Sequence, residues 1–491
     1  MPRLRRRVGE RQAVKAWLGG VSAVALAAGM LAGAPEAAIA ETLRDALASA
    51  YMTNPRLDAE RARLRATDEE VSRAQSGFAP VISGAADIGH QETSSKPKST
   101  TMGASDPWGY QITVRQSVFS GFRTTNEVSE AEAGVKAGRE TLRQIEASVL
   151  LDGVTAYVDV VRDQAIVRLR ENNVEVLSRD LEAAETRRAV KEVTKTDVAQ
   201  ARARRARAVS AADLAKANLK VSRANFERIV GHAPQGLGMP SMKLKLLPRS
   251  IEEAWQIAER ENPNVNSALF REEAARYAVD KVRGELLPDI GVEASYGHRA
   301  NPNAAFDEQE AASVTGRLTV PLYDGGEVRA RVRQAKHTHV SRIQEIEQAR
   351  TETQANVTAA WSRLMAARAQ LKSDIVQVEA NRMALEGVRE EERVGQRTLI
   401  EVLNAEQEYL DAQIQLVGTR HDVVVASYAV LATIGKLSAE ELALTSEVYD
   451  PEVHYQEARN NWFGIDITHP DGRREVMQLT DPEDDASEFV E

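Results

Sequence analysis

The residue types that most often carry chemistry form no reactive group in this sequence. The 491 residues include no Cys, which removes disulfides and thiolate metal sites. Two of the eight His, His337 and His339, lie two positions apart, and on a helix such positions face different sides. Gly325-Gly326 is not followed by the Gly-Lys-Ser/Thr of a phosphate loop, and no local context supports a Ser-His-Asp triad. We therefore expect no enzyme, no cofactor and no metal site.

The most informative charged group lies between two long helical patterns, in the stretch 393–407. Gly395 can take the positive φ at which helices often end, and a new helix can begin near Thr398. Glu401 then falls in the early turns of that helix, where a carboxylate interacts favourably with the helix dipole. The stretch predicts the tip of a helical hairpin, with a carboxylate that has no evident structural role in the sequence.

The hairpin belongs to a unit that the chain contains twice. Residues 42–46 and Asn54-Pro55 correspond to 250–254 and Asn262-Pro263, at an offset of 208 positions. Later segments, such as 196–201 and 400–405, correspond at an offset of 204 positions. Matching segments in one order, with a single four-residue indel, indicate an internal duplication. We predict these parts: signal peptide 1–40, first repeat 41–231, equatorial linker 232–249, second repeat 250–435, and C-terminal equatorial segment 436–491 with an acidic disordered tail (481–491).

The N-terminus has the features of a secretory signal peptide. Basic residues precede an apolar stretch at 17–34, and Ala38-Ile39-Ala40 forms an A-x-A cleavage site before Glu41. An uncleaved N-terminal membrane helix is the alternative. Glu41 is not a Cys, so we expect no lipoprotein processing. The net charge of −10 argues against binding to nucleic acid.

Each repeat contains two stretches with the period-two alternation of β-strands. Alternation predicts strands at about 80–91, 108–119, 289–298 and 313–323. Taken alone, the alternation favours an antiparallel sheet with one face packed on a soluble core over a sheet in a membrane. Lengths of about 10–12 residues, the predicted export and the helical remainder favour tilted membrane-spanning strands. An open edge is not tolerated in lipid, so four strands must close into a barrel with those of other chains.

Residues at the ends of these strands have predicted positions as well. Trp108, Tyr110 and Tyr296 fit aromatic groups at a membrane interface, and they fit ordinary packing groups equally well. Gly121 and Gly325-Gly326 predict the joints at which strands lead into helices.

The long helical stretches contain heptad patterns. From Arg123 to about Arg188 there is no Pro, and apolar residues recur every seven positions with one four-residue step. A helix of about 65 residues spans on the order of 100 Å. Shorter helices at about 196–230 and 400–434, with those preceding the strands, would together match that length. An ordinary coiled-coil rod fits this pattern, whereas a ring of helices around a wet lumen follows if a closed barrel continues into them.

With these features the chain resembles the TolC family of outer-membrane channel proteins, most closely the branch that serves type I protein secretion. The resemblance rests on the duplicated layout, on 118–121 and 320–326, and on 394–405, and it covers most of 41–436. It implies a mainly α fold with a membrane β-sheet. Three identical chains would form a 12-strand β-barrel on a 12-helix α-barrel of long coiled-coil helices.

The resemblance also implies a function and partners. The homotrimer would be an exit duct in the outer membrane of a Gram-negative bacterium, with most of the chain in the periplasm. Its partners would be a periplasmic adaptor (membrane fusion protein), an inner-membrane ABC or proton-driven transporter, and outer-membrane lipid. Type I protein secretion is the expected route, with multidrug efflux as the alternative. A periplasmic coiled-coil adaptor or structural rod is the rival from a different class.

The resemblance further assigns roles at the hairpin tips. Glu401 and Asn404 would line the periplasmic entrance, and Arg397, Asp197 and Thr196 would belong to links that hold it closed. Asn404 stands where a second acid can occur in the family, so we expect three carboxylates per trimer. Without a trimer, Glu401 would be a solvated acid at the start of a helix.

The turn at the first tip departs from the family pattern. Lys191 stands where that tip often has Gly. We therefore expect this turn to be built differently from the turn at Gly395.

Overall fold

The computed structural model describes residues 41–94, 96–240, 246–445 and 447–461, and the short pieces 464–465, 467–468 and 474–475. The predicted signal peptide (1–40) and acidic tail (481–491) lie outside the described residues. No helix in the described part of the chain is both long enough and apolar enough to cross a membrane.

Two copies of one series of elements make up most of the described chain. The first copy contains α1 (Leu43–Thr53), α2 (Pro55–Gln75), β1 (Val81–Ile88), β2 (Gln91–Thr93), β3 (Gly103–Ser105), β4 (Trp108–Phe119), α3 (Arg123–Ala189) and α4 (Lys195–Val230). The second copy contains α5 (Ile251–Glu261), α6 (Pro263–Gly284), β5 (Asp289–Asn303), β6 (Phe306–Thr319), α7 (Glu327–Arg393) and α8 (Leu399–Thr433). After it come α9 (Pro451–Asn460), β7 (Ile467–Thr468) and β8 (Arg474–Glu475).

Four of the strands form one antiparallel sheet in the order β1-β4-β5-β6. In this sheet β4 lies opposite β5, with Val114 facing Ala294 and Tyr110 facing His298. Neither β1 nor β6 has a second neighbour among the described residues, and both are exposed along their whole length. Within the described residues the sheet therefore has two free edges, and no long helix packs on either of its faces.

The second hairpin of this sheet differs from the sequence expectation. The predicted strands at 289–298 and 313–323 left a polar loop between them, but β5 and β6 stay paired as far as Asn303 and Phe306. That loop prediction is wrong because cross-strand contacts such as His298–Glu310 continue the pairing through a polar stretch. At its other end β6 stops at Thr319, since Pro321 has no N–H to donate to a ladder.

The helices form a layer along the whole length of the molecule. α3 and α7 have 67 residues each, whereas α4 and α8 have 36 and 35. In the half near the strands the neighbours run α2-α3-α6-α7, and in the other half they run α4-α3-α8-α7. Two shorter helices thus lie end to end along each long helix, as the lengths in the sequence predicted.

The main apolar core lies midway along the layer, where the shorter helices meet. Tyr157 and Leu364 of the long helices pack there with Phe226, Ile434 and the segment 437–444. The Asn of each Asn-Pro pair fastens this junction: Asn54 Nδ2 donates to Ile229 O at 3.0 Å, and Asn262 Nδ2 to Thr433 O at 2.8 Å. Both side chains also cap the helix that follows. The duplicated Asn-Pro motif therefore ties three helices together in each repeat.

The two predicted strand-to-helix joints have the same backbone but different surroundings. Gly121 has φ +65° and Gly325 has φ +67°, both in the left-handed region. A Cβ on Gly121 would lie 2.2 Å from the carbonyl oxygen of Gly284, whereas nothing lies within 4 Å of one on Gly325. Gly121 thus serves both a turn and a close backbone approach, and Gly325 serves only a turn.

We expect Gly121→Ala to destabilise the protein much more than Gly325→Ala. The left-handed conformation costs about 1–2 kcal/mol for a residue with a Cβ, and both variants share this loss. Only Gly121→Ala adds the overlap with Gly284. Unfolding by denaturant, followed by circular dichroism on the purified variants, measures the difference. Equal midpoints would contradict the close approach of Gly121 to Gly284.

Candidate functional site at the hairpin tips

The two hairpin tips, residues 190–194 and 394–398, are built in the same way. Lys191 has φ +67° and Gly395 has φ +78°. The amide of Lys191 donates to Arg188 O and that of Gly395 donates to Glu392 O, both at 2.9 Å. The expectation that Lys191 changes the turn is wrong, because a Lys can occupy the left-handed region at a cost of about 1–2 kcal/mol.

Glu401 has a structural role that the sequence did not reveal. Its Oε2 accepts hydrogen bonds from the amide of Thr398 at 2.8 Å and from the Thr398 hydroxyl at 2.9 Å. Arg397 Nη1 lies 2.7 Å from the other carboxylate oxygen. The Thr398 amide, Arg397 and the Thr398 hydroxyl, in that order, lower the pKa of Glu401 to about 2. This carboxylate therefore stabilises the first turn of α8 and stays ionised at every physiological pH.

Asp197 occupies the equivalent position in the first repeat. It accepts hydrogen bonds from the amide and the hydroxyl of Thr194, both at 2.8 Å, and its own amide donates to the Thr194 hydroxyl. This arrangement is a capping box at the start of α4. Thr196, in the first turn of the same helix, is exposed.

The closing-link candidates are not brought together within one chain. Arg397 Nε lies 2.8 Å from Glu391, so this side chain bridges the end of α7 and the start of α8 in its own hairpin. Asp197 is bonded within the other hairpin. A link that involves either residue across a chain boundary stays a prediction.

Two other contacts do join the hairpins, and sequence reasoning missed both. Arg204 of α4 reaches Asn404 of α8, with 2.5 Å between Nη2 and Oδ1, and it also donates to Leu403 O. Arg187 at the end of α3 lies 2.6 Å from Glu392 at the end of α7. The excess of Arg in α4 was visible in the sequence, but the pairing depends on which helices lie side by side.

The aromatic candidates cluster on the sheet. The rings of Tyr110 and Tyr296 lie 6.4 Å apart, and His298 lies 5.7 Å from Tyr110 and 5.8 Å from Trp108. All three predicted aromatics are partly exposed. Their common position on β4 and β5, far from the tips, fits either role that the sequence left open.

The tips carry charged and polar side chains on neighbouring helices. Among the residues described, no three His, Asp or Glu side chains lie close enough together to hold a metal ion. The tips present ionised side chains at fixed positions, and polar contacts are the main interactions between the helices there. Such groups can hold two hairpins together and act on ions that pass between them.

The known family that this chain matches has the same duplicated organisation. The sequence model of the family described as "Outer membrane efflux protein" matches residues 46–232 and 254–436, one match in each repeat. The outer membrane efflux protein BepC of Brucella suis is 37% identical over 454 residues, which cover 92% of this chain and 97% of BepC. The alkaline protease secretion protein AprF of Pseudomonas aeruginosa is 28% identical over 267 residues, 52% of this chain and 54% of AprF.

A solved structure has the same fold. The Campylobacter jejuni CmeC outer membrane channel superposes with a TM-score of 0.74 and 16% identity, covering 86% of this chain and 89% of that one. The mainly α fold with a small β-sheet that the sequence predicted is confirmed.

Proposed function

Because this chain belongs to the outer membrane efflux protein family, we propose that three copies of it form the exit duct of a tripartite export system. The protein is an outer-membrane protein of a Gram-negative bacterium, and its family is one of channels rather than enzymes. In the proposed assembly each chain contributes four strands to a barrel and four helix positions to a periplasmic tunnel. A periplasmic adaptor and an inner-membrane ABC or proton-driven transporter would complete the system.

The free edges of the chain carry this proposal. In the part of the chain that the structure describes, β1 and β6 lack partners on their outer sides, and a sheet in hydrocarbon must satisfy those backbone groups. In the half towards the tips, the helix layer ends on α4 at one side and α7 at the other, and both helices expose apolar side chains: Leu214, Val221, Ile375, Val376 and Met383. A heterologous contact of one edge with the opposite edge of the next copy closes a ring.

In such a ring the hairpin tips surround the periplasmic entrance. We place Glu401 and Asn404 near the axis there, and Arg397, Asp197 and Thr196 at the boundaries between copies. Glu401 is already ionised and held by Thr398, so three copies would present three fixed carboxylates. Trp108, Tyr110 and Tyr296 would meet lipid headgroups at the far end.

For the cargo we propose secreted protein, by the type I route. The similarity to AprF, whose name describes protease secretion, supports this proposal, and so does the absence of a Cys at the predicted cleavage site. Efflux of small molecules is the second candidate. The name of BepC favours it, since BepC is an outer membrane efflux protein and is 37% identical over nearly the whole chain.

Deleting the gene tests both cargo proposals in one strain. Loss of particular proteins from the culture medium, with drug sensitivity unchanged, supports type I secretion, and the reverse result supports efflux. The assembly itself is tested on a gel: we expect a trimer that resists mild SDS and dissociates on boiling. A monomer that is released without detergent would contradict the duct and favour the periplasmic rod.

We expect Glu401→Ala to reduce the preference of the pore for cations about twofold or more, because three carboxylates near an axis favour cations. Reversal potentials in planar bilayers under a salt gradient measure the effect. Glu252→Ala is the control, since this exposed acid lies on α5, whose last residue, Glu261, lies beside Gly435 at the end of α8 away from the tips. Unchanged selectivity in Glu401→Ala would remove this residue from the entrance.

We expect Arg204→Ala to raise the open probability of single channels about two- to fivefold, the factor that corresponds to a polar link of up to about 1 kcal/mol. The substitution removes the contact between α4 and α8, which joins the two hairpins. Arg202→Ala is the matched control, because Arg202 lies 2.8 Å from Glu185 within its own hairpin. Equal effects of the two variants would argue against a link between hairpins.

A further inference from the structure

Two carboxyl groups meet between the two hairpins, a short distance from the tips. Asp180 lies on α3 of the first hairpin, and Glu406 lies on α8 of the second. They lie beside a small apolar cluster formed by Leu177, Ala208 and Leu403, one residue from each of three helices. The two hairpins are therefore in apolar contact here, beside a buried Glu406 and a partly buried Asp180.

The carboxyl groups of Asp180 and Glu406 are neighbours, and each has one buried oxygen that receives no hydrogen bond from any residue described. Only 6% of Glu406 is exposed, and its Oε1 lies 2.5 Å from Arg389 Nη2. Its other oxygen, Oε2, and Oδ2 of Asp180 are both buried and accept no hydrogen bond from any residue described. Two carboxylate oxygens without a donor between them repel one another strongly in a buried site.

Among the described residues, one of the two carboxylates in this pair has no ion-pair partner of its own. Two carboxylates face a single guanidinium, that of Arg389. On α7, Glu392 adds negative charge and is itself paired with Arg187 of α3. On α4, Arg204 is bonded to Asn404 and Arg205 to Ser178. One proton between the carboxyl groups would cancel the excess charge and supply the missing donor.

The two hairpins carry this interaction in opposite polarity. In the second hairpin Arg389 pairs with Glu406, and the positions 204 residues earlier hold Glu185 and Arg202, which also pair. The position equivalent to Asp180 is Ala384. The buried acid therefore occurs once per chain, where the reversed polarity places a carboxylate opposite Asp180.

We propose that a single proton shared by Asp180 and Glu406 clasps the two hairpins of each chain, and that its loss favours separation of the tips. The proposal rests on the proposed function only in taking these tips as a channel entrance. The clasp itself is a property of one chain.

The direction of the pH dependence follows from the two states. Burial, and then the neighbouring Glu406 carboxylate, raise the pKa of Asp180 to about 7 in the closed arrangement. In separated hairpins Asp180 would face water, and its pKa would return towards about 3.9. Below about pH 4 both states carry the proton, and the closed state keeps its full stability relative to the open state. As the pH rises from about 4 to about 7, only the closed state still binds the proton, and its relative stability falls. Above about pH 7 both states have lost the proton, and the contribution of the clasp is gone. Glu401, with a pKa of about 2, stays ionised throughout.

Spin labels on the tips test the clasp directly. The chain has no Cys, so Glu192→Cys and Gln396→Cys, both exposed, place one label on each tip. One labelled copy per trimer, in detergent, gives the distance between tips by pulsed dipolar spectroscopy. Each unit of pKa difference between the two states corresponds to about tenfold in their ratio. We expect the separated fraction to rise about tenfold or more from pH 4 to pH 7, with no further rise at higher pH.

The variant Asp180→Asn keeps a donor for Glu406 but removes the second charge, so we expect closed tips at every pH. Asp180→Ala removes both the shared proton and the repulsion between the two carboxylates, so we expect a separated fraction that does not change with pH. Glu182→Gln, an exposed acid two positions along α3, is the control for the loss of charge and should behave as the unaltered chain. His421, whose pKa is raised by Asp159 and Asp422 against the effect of burial, is unchanged in all three variants.

Retention of the pH dependence in Asp180→Asn would overturn the proposal, as would its absence in the unaltered chain. Separation of the tips by EDTA at pH 4 would instead indicate a bound divalent cation, and it too would overturn the shared proton. Conductance in planar bilayers is recorded on the same variants. A protein that conducts no ions but shows the expected label distances would contradict the duct and leave the clasp standing.

Discussion

A β-sheet cannot keep a free edge in hydrocarbon, and this sheet has two of them. The outer backbone groups of β1 and β6 have no partner among the described residues, and neither face of the sheet is covered by the chain's own helices. Other copies of the chain are the simplest source of the missing hydrogen bonds. The helix layer follows the same rule, since α3 and α7 continue from strands of the sheet and cannot form a closed bundle by themselves. In the proposed assembly, closure of the barrel would thus set the arrangement of the helices.

Within one chain the stabilising contacts are distributed unevenly along the layer. The middle holds the main apolar core, and Asn54 and Asn262 fasten the helix ends there. The tips are held mainly by polar contacts such as Arg187–Glu392 and Arg204–Asn404, each of modest strength at an exposed position. Local opening occurs most readily where few apolar contacts have to be broken. A structure that is fixed at its middle and weakly linked at one end can open at that end without unfolding.

The sequence predicted the periodic parts of this structure well, for a physical reason. The heptads of α3 reflect burial on one face, which the segment records in its own residues. The alternation at Trp108–Phe119 likewise gives β4 one apolar face, although that face is exposed within one chain. The extension of β5 and β6 through a polar stretch depends on pairing between strands, which hydrophobic alternation does not record. Likewise Lys191 adopts the conformation of Gly395 because the amides after both helices bond in the same way. Arg204–Asn404 and Asp180–Glu406 join residues about 200 positions apart, so they become visible only once α4, α3 and α8 are seen to be neighbours.

The duplication explains why the hairpins share a shape and yet differ in their electrostatics. Main-chain features recur at an offset of 204 positions: the left-handed residues Lys191 and Gly395, and the helix-start acids Asp197 and Glu401. These features define the turn, and few side chains can replace them. The bridge between helices recurs in place but with its charges exchanged, because either polarity holds two helices together equally well. The choice of polarity matters at the boundary between the hairpins. Only the arrangement in the second hairpin, with Arg389 on α7 and Glu406 on α8, directs a buried carboxylate towards α3. A neutral change within each hairpin thereby creates a charged contact between them, and the two halves of the duplicated chain are no longer interchangeable at the tips.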